Sequence, residues 1–174
     1  MTPGNALFAI TFLILLAGAT FAQSPTRFTS VYTSLGSGCK TLSGTNGTDD
    51  ASLCRGVGGY QIRVYGSAAA VHINAEMKGQ EESENLTTLS IDFNESRMRV
   101  EWRLANGKPF AVIMRVPKYG DPTDDNPYFG KVVGEELIIR GLKGNEINLT
   151  VDAKTANANL KARSLADKAY ADAH

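Results

Sequence analysis

The chain has 174 residues, with 18 Lys and Arg matched by 18 Asp and Glu, and only two His and two Cys. Zero net charge argues against a general nucleic-acid binder, which needs a basic excess to displace counterions from phosphates. It also gives no reason to expect adsorption to anionic membranes, and so few His and Cys cannot supply the four ligands of a structural zinc site once the cysteines pair.

The first element is an apolar run, Ala6 to Ala17, with no charged side chain before Arg27. Small residues at Thr20 and Ala22 fit a signal-peptidase site that leaves Gln23 as the mature N-terminus, with cleavage after Ala19 as the alternative. The run falls short of the ~20 apolar residues of a membrane span. The segment before it is atypical in carrying no Lys or Arg. Leu16-Ala17-Gly18-Ala19 is built like a lipobox, but Ala19 stands where the lipidated cysteine must be. The expectation is a signal peptide over 1–22 and a soluble mature chain over 23–174, periplasmic or secreted, with no lipid anchor and no membrane span. At roughly 150 residues the mature chain has the size of one domain.

Cys39 and Cys54 have fourteen residues between them. In an oxidising compartment an isolated pair at this spacing is most simply one disulfide. Redox pairs usually sit two residues apart at a helix start. The enclosed loop is polar and turn-rich, so the bond would staple an excursion.

Strand patterns follow. Tyr60, Ile62 and Val64 alternate with polar residues, Gly66-Ser67 interrupts, and Val71 to Ala75 resumes the pattern. A polar stretch from Glu76 to Glu84 leads to a strand over Leu89–Phe93, with Leu89, Ile91 and Phe93 inward. In Arg97–Leu104, Met98, Val100, Trp102 and Leu104 share one face, while Arg97, Arg99, Glu101 and Arg103 share the other. Asn106-Gly107 supplies a two-residue turn with φ > 0 at both positions. A straight register then pairs Ala105 with Lys108, Leu104 with Pro109, Trp102 with Ala111 and Val100 with Ile113. The returning strand is apolar on both sides, which predicts a central position. Pro117 to Asn126 reads as a loop. Glu136–Arg140 and Glu146–Val151 read as a hairpin about Lys143-Gly144-Asn145. The period then changes to helical over about 156–172, with Ala158, Ala162, Leu165, Ala166, Ala169 and Ala173 on one face and Asn157 or Thr155 as cap.

No catalytic or cofactor motif stands out. His72 alternates with apolar strand residues and reads as a solvated position. No Gly-x-Ser-x-Gly elbow exists to present a nucleophile. Gly56-Val-Gly-Gly59 lacks the Lys-Ser/Thr of a phosphate loop and runs into a strand rather than a helix. Asp121, Asp124 and Asp125 lack the spacing and distal Glu of a calcium loop. The sequons at Asn46, Asn85, Asn94 and Asn148 matter only in a eukaryotic secretory pathway. The surface of interest is the face carrying Arg97, Arg99 and Arg103, opposed across the hairpin by Val116, Met114 and Phe110. Arginine beside apolar side chains suits an anion- or protein-binding face. Alternatively, the arginine stems simply cover the outer side of a sheet.

Together, Ser30-Val-Tyr-Thr-Ser-Leu35 with Cys39-Lys-Thr, Cys54-Arg-Gly-Val-Gly-Gly-Tyr60, Glu101-Trp-Arg103, Lys108-Pro-Phe-Ala111 and Val151-Asp-Ala153 followed by Asn157-Ala-Asn159 and Ala166-Asp167 resemble a family of small exported bacterial proteins of unknown function. The resemblance spans nearly the whole mature chain and implies a bacterial source and a periplasmic or secreted location. It implies no activity. Members often carry a second cysteine pair, before the Val-Asp-Ala strand and at the C-terminus; Glu146 and the Asp172-Ala-His174 end stand in those regions here. The acidic turn typical after the Cys-Gly strand is Gly66-Ser-Ala-Ala-Ala70.

These observations predict a mainly β fold: one antiparallel β-sandwich or curled sheet with a single C-terminal helix. The expected function is a non-enzymatic envelope protein that binds a protein or an anionic polymer, with no cofactor. The alternative is a hydrolase whose site is assembled from scattered carboxylates and His72.

Overall fold

The computed structural model describes residues 25–36, 38–42, 51–80 and 82–174. The signal peptide expected over 1–22 lies outside the described residues. In chain order the elements are β1 (Phe28–Ser34), β2 (Lys40–Leu42), β3 (Ala51–Arg55), β4 (Tyr60–Gly66), β5 (Ala70–Met77), β6 (Ser83–Ser90), β7 (Arg99–Ala105), β8 (Lys108–Tyr119), β9 (Val132–Gly141), β10 (Asn148–Asp152) and a C-terminal helix, α1 (Ala158–Ala173). They form two five-stranded antiparallel sheets, one ordered β1-β7-β8-β9-β10 and the other β2-β3-β4-β5-β6. The fold is therefore mainly β, in the sandwich form, with one C-terminal helix.

Period-2 alternation builds the main core between the sheets. Ile62 and Val64 from β4, Ile73 and Ala75 from β5, and Leu86 and Leu89 from β6 meet Val100, Trp102, Val112, Met114 and Ile138. Leu86 and Leu89 are three apart, so both can face inward only because the β5–β6 register shifts between Ile73 and Asn74. Trp102 is fully buried, and its indole N–H donates to Thr33 Oγ1 at 2.8 Å. A second core lies on the other face of the first sheet, where Phe110, Ala111, Ile113, Leu137 and Ile139 pack under Ala158, Ala162 and Ala166 of α1. β8 is thus covered on both sides, as its sequence predicted. The disulfide Cys39–Cys54 ties the entry of β2 to β3.

The β7–β8 hairpin departs from the straight register. Asn106 and Gly107 have φ of 50° and 81°, and Ala105–Lys108 and Leu104–Pro109 pair as expected. Beyond them Phe110 is an extra residue. Trp102 then faces Val112 rather than Ala111, Val100 faces Met114 rather than Ile113, and Arg103 faces Ala111 rather than Phe110. The reason is polarity. A straight register would put Arg115 opposite Met98 on the core side. The bulge moves Val112, Met114 and Val116 into the core and turns Arg115 out.

Four smaller expectations also change. β6 ends at Ser90, and Ile91 is 47% exposed. Phe93 N–H donates back to Ser90 O at 3.0 Å, closing a turn where a strand was expected. The polar stretch from Glu76 is shorter than expected, because Arg63 and Gln61 of β4 bond the Glu76 carboxylate and keep it within β5. The loop expected from Pro117 begins later, since β8 runs to Tyr119. Leu142 N–H donates to Phe110 O, so even-numbered β8 residues bond to β9 and the missing N–H of Pro117 points to the side where β7 has ended. Asn157 precedes α1 at φ 55° without a side-chain cap bond, and the Thr155 carbonyl, not its hydroxyl, receives the Ala158 N–H.

Candidate functional site

The three arginines expected to share one binding face have different surroundings. Arg103 is 6% exposed. Its Nε and Nη2 donate to Asp167 Oδ1 of α1 at 3.0 and 2.7 Å, and its Nη1 donates to Ser30 Oγ at 2.6 Å. Two residues earlier on β7, the Glu101 carboxylate accepts from Arg163 Nε at 2.6 Å and from the Ser30 hydroxyl. Arg163 also donates to Tyr32 OH at 2.7 Å. Hydrogen bonding to Glu101, against a smaller opposing effect of burial, holds Arg163 more firmly protonated than an ordinary arginine. This alternating chain of charges fastens α1 to β1 and β7, alongside the apolar contacts of its alanine face, of Leu165 and of Tyr170, whose ring centre lies 5.9 and 4.5 Å from those of Phe28 and Phe110. Arg103 is therefore a helix-docking residue, outside the exposed surface.

Arg97 and Arg99 stay exposed, and the bulge brings them company. Continuing the register past Val100–Met114 places Arg99 opposite Arg115, where the straight register had Met114. Like charges facing each other across a strand pair repel. Both are partly compensated: Arg115 Nη1 pairs with Glu135 Oε2 at 3.2 Å, and the Arg99 guanidinium lies 4.9 Å from the centre of the Tyr32 ring. Arg97 ends a single 3₁₀ turn, Glu95–Arg97, whose Asn94 side chain accepts from Ser96 N–H.

These side chains surround an open cleft of about 540 Å³ on the outer face of the first sheet, beyond the edge of α1. Arg97, Arg99, Arg115 and Arg163 line it, with Ile113 and Leu137 beneath and Tyr32 and Phe93 at the sides. Among the described residues Glu101 and Glu135 are its only carboxylates, and each is held by an arginine. The cleft therefore carries an excess of positive charge above an apolar floor. Such a site can bind a carboxylate or phosphate bidentately while covering an apolar portion of the same partner.

No family model, curated protein or solved structure matches this chain. The cleft must be interpreted from its own chemistry.

The remaining candidates stay where solvated surface groups belong. His72 stacks on Tyr65 at 4.9 Å between ring centres, and its ring nitrogens lie 3.3 Å from Ser67 Oγ and Thr88 Oγ1. Among the described residues it has hydroxyl partners and no carboxylate partner. Gly56–Gly59 forms the turn into β4: a Cβ on Gly56 would meet Tyr60 O at 2.4 Å, and Gly58 and Gly59 have φ of 62° and 90°. Asp121, Asp124 and Asp125 sit on an exposed loop closed by backbone bonds between Thr123 and Asn126. No group of three His, Cys, Asp or Glu among the described residues is arranged to hold a metal ion, and no helix among them is long and apolar enough to cross a membrane.

Arg115, Arg163, Asp167 and Tyr32 were absent from the sequence-level site. One signal was available. Arg163 and Asp167 are four apart on a helix, and Glu101 and Arg103 are two apart on a strand. Both spacings put the two charges on one face, in complementary order.

Proposed function

We propose that this protein is an exported, non-enzymatic binding protein that holds an anionic partner in the arginine-lined cleft. The observation that supports this reading is the convergence of Arg97, Arg99, Arg115 and Arg163 on one open cleft whose two carboxylates among the described residues already have arginine partners. Two of the four guanidiniums, on Arg97 and Arg99, have no carboxylate partner among the described residues. The Arg115–Glu135 pair is exposed and of low strength, so an incoming anion can compete for Arg115. Binding through these groups should weaken as salt rises.

The test is fluorescence anisotropy with labelled poly-L-glutamate over a salt series. The double variant Arg97→Glu/Arg99→Glu should bind at least about tenfold more weakly, the factor that ~1.4 kcal/mol represents. The double variant Lys78→Glu/Lys161→Glu makes the same change in net charge at positions that do not line the cleft, and should bind as wild type. Equal loss in both variants would reduce the effect to net charge and sink the reading.

A further inference from the structure

The first sheet ends at β1, and the geometry of that edge extends the proposed function. Leu35 N–H donates to Met98 O, and Asn106 N–H donates to Arg27 O. Both pairs continue the β1–β7 register in which Val31 faces Trp102. Odd-numbered residues of β1 therefore turn their backbone groups toward β7. Even-numbered residues, Ser30 and Tyr32 in the middle of the strand, turn theirs outward. Among the described residues nothing accepts or donates at those outward groups.

Edges left open in this way are normally blunted by charge, proline, a bulge or short length. The second sheet follows that practice: β2 has three residues, and β6 carries Glu84 and pairs through a bulge. β1 reads Phe-Thr-Ser-Val-Tyr-Thr-Ser, seven residues without a charge or a proline. Val31 and Tyr32 stand exposed on its opposite faces. A cleft flanks each face: the arginine-lined one beside Tyr32, and a second of about 510 Å³ lined by Val31, Thr33, Arg55 and Val57.

We propose that β1 accepts an extended acidic segment of a partner protein as a sixth strand. This rests on the cleft being the anion site. The added chain would take the outward N–H and C=O groups of Ser30 and Tyr32, and its side chains would alternate between the two clefts. Charge selects the occupant. Arg55, Arg97 and Arg99 border the edge without carboxylate partners among the described residues, so Asp and Glu on the incoming strand meet complementary charge on either face. A second copy of β1 brings no carboxylate of its own and sets the two copies' arginines against each other.

The probe is a labelled eight-residue peptide of alternating Glu and Val, titrated into the full mature protein and followed by anisotropy and by amide hydrogen exchange. Binding should slow exchange at Ser30 and Tyr32 at least tenfold. N-methylation of the peptide at alternate residues, in one of the two possible phases, should weaken binding at least tenfold at unchanged charge, and the other phase should be tolerated. Arg97→Glu/Arg99→Glu should also weaken it. Binding that depends on the arginines but leaves Ser30 and Tyr32 exchange unchanged and ignores N-methylation overturns strand addition and leaves the cleft reading standing. Failure to bind both this peptide and poly-L-glutamate overturns the two together. Concentration-dependent dimerisation with protection of Ser30 and Tyr32 in the absence of peptide assigns the edge to a second copy and overturns the acidic occupant.

Discussion

Removing the Asp167 carboxylate tests the claim that charge, in addition to apolar packing, fastens α1 to the sandwich. In Asp167→Ala the Arg103 guanidinium keeps, among the described residues, only its bond to Ser30. Its side chain is 7% exposed and that of Asp167 is 23% exposed, so Arg103 is left nearly buried without a counter-charge. Breaking a buried pair from one side costs about 3–5 kcal/mol. Partial access of water at the Asp167 side lowers the expectation to about 2–4 kcal/mol. At about 2–4 °C per kcal/mol for a chain of this size, the thermal midpoint should fall by roughly 5–15 °C. Removing both charges with apolar replacements, Arg103→Met/Asp167→Leu, should recover most of the loss, because no unpaired charge remains. The exposed Lys168–Asp172 pair on the same helix is the control, and Lys168→Ala should cost less than about 0.5 kcal/mol. Urea denaturation followed by Trp102 fluorescence and far-ultraviolet circular dichroism gives the stabilities of the wild type and the three variants, and a thermal melt gives the midpoint. A loss below about 1 kcal/mol in Asp167→Ala, or a double variant as unstable as the single one, would refute the docking argument.

Two further outcomes follow from named contacts. Cys39 and Cys54 should resist alkylation until reduced, as mass spectrometry can read. Reduction should destabilise the protein by about 3 kcal/mol, since the bond closes a loop over a sequence separation of 15. Glu76 governs part of the acid response. Burial raises its pKa, but hydrogen bonds from Arg63 and Gln61 outweigh this and hold it below the ordinary 4.5. A carboxyl lowered on folding stabilises the protein above its unfolded pKa, and that stability is lost as pH falls through the folded value. Wild type should therefore lose more stability than Glu76→Gln between pH 4.5 and the lower folded pKa; parallel acid-denaturation curves would show that the Arg63–Glu76 contact is not formed in solution.

Much of the architecture could be read from local pattern. Alternation in β4, β5 and β7, the Asn106-Gly107 turn, the lone cysteine pair and the alanine-faced final helix each follow from the conformational demands of a few neighbouring residues. They carried the β class, the hairpin, the disulfide and the helix. The register beyond Pro109 was not legible in the same way. β8 is apolar on both faces, so hydrophobic alternation could not choose its phase, and only the single charge of Arg115 pointed to the bulge. That bulge decided which arginines share a surface. It turned Arg115 toward Arg99, while the packing of α1 removed Arg103 to a buried pair with Asp167, 64 positions away in sequence. Periodicity places a side chain on a face of its own strand. Which other strand or helix then covers that face, and with what charge, depends on contacts between distant parts of the chain, and these arise only when the two sheets and the helix pack together.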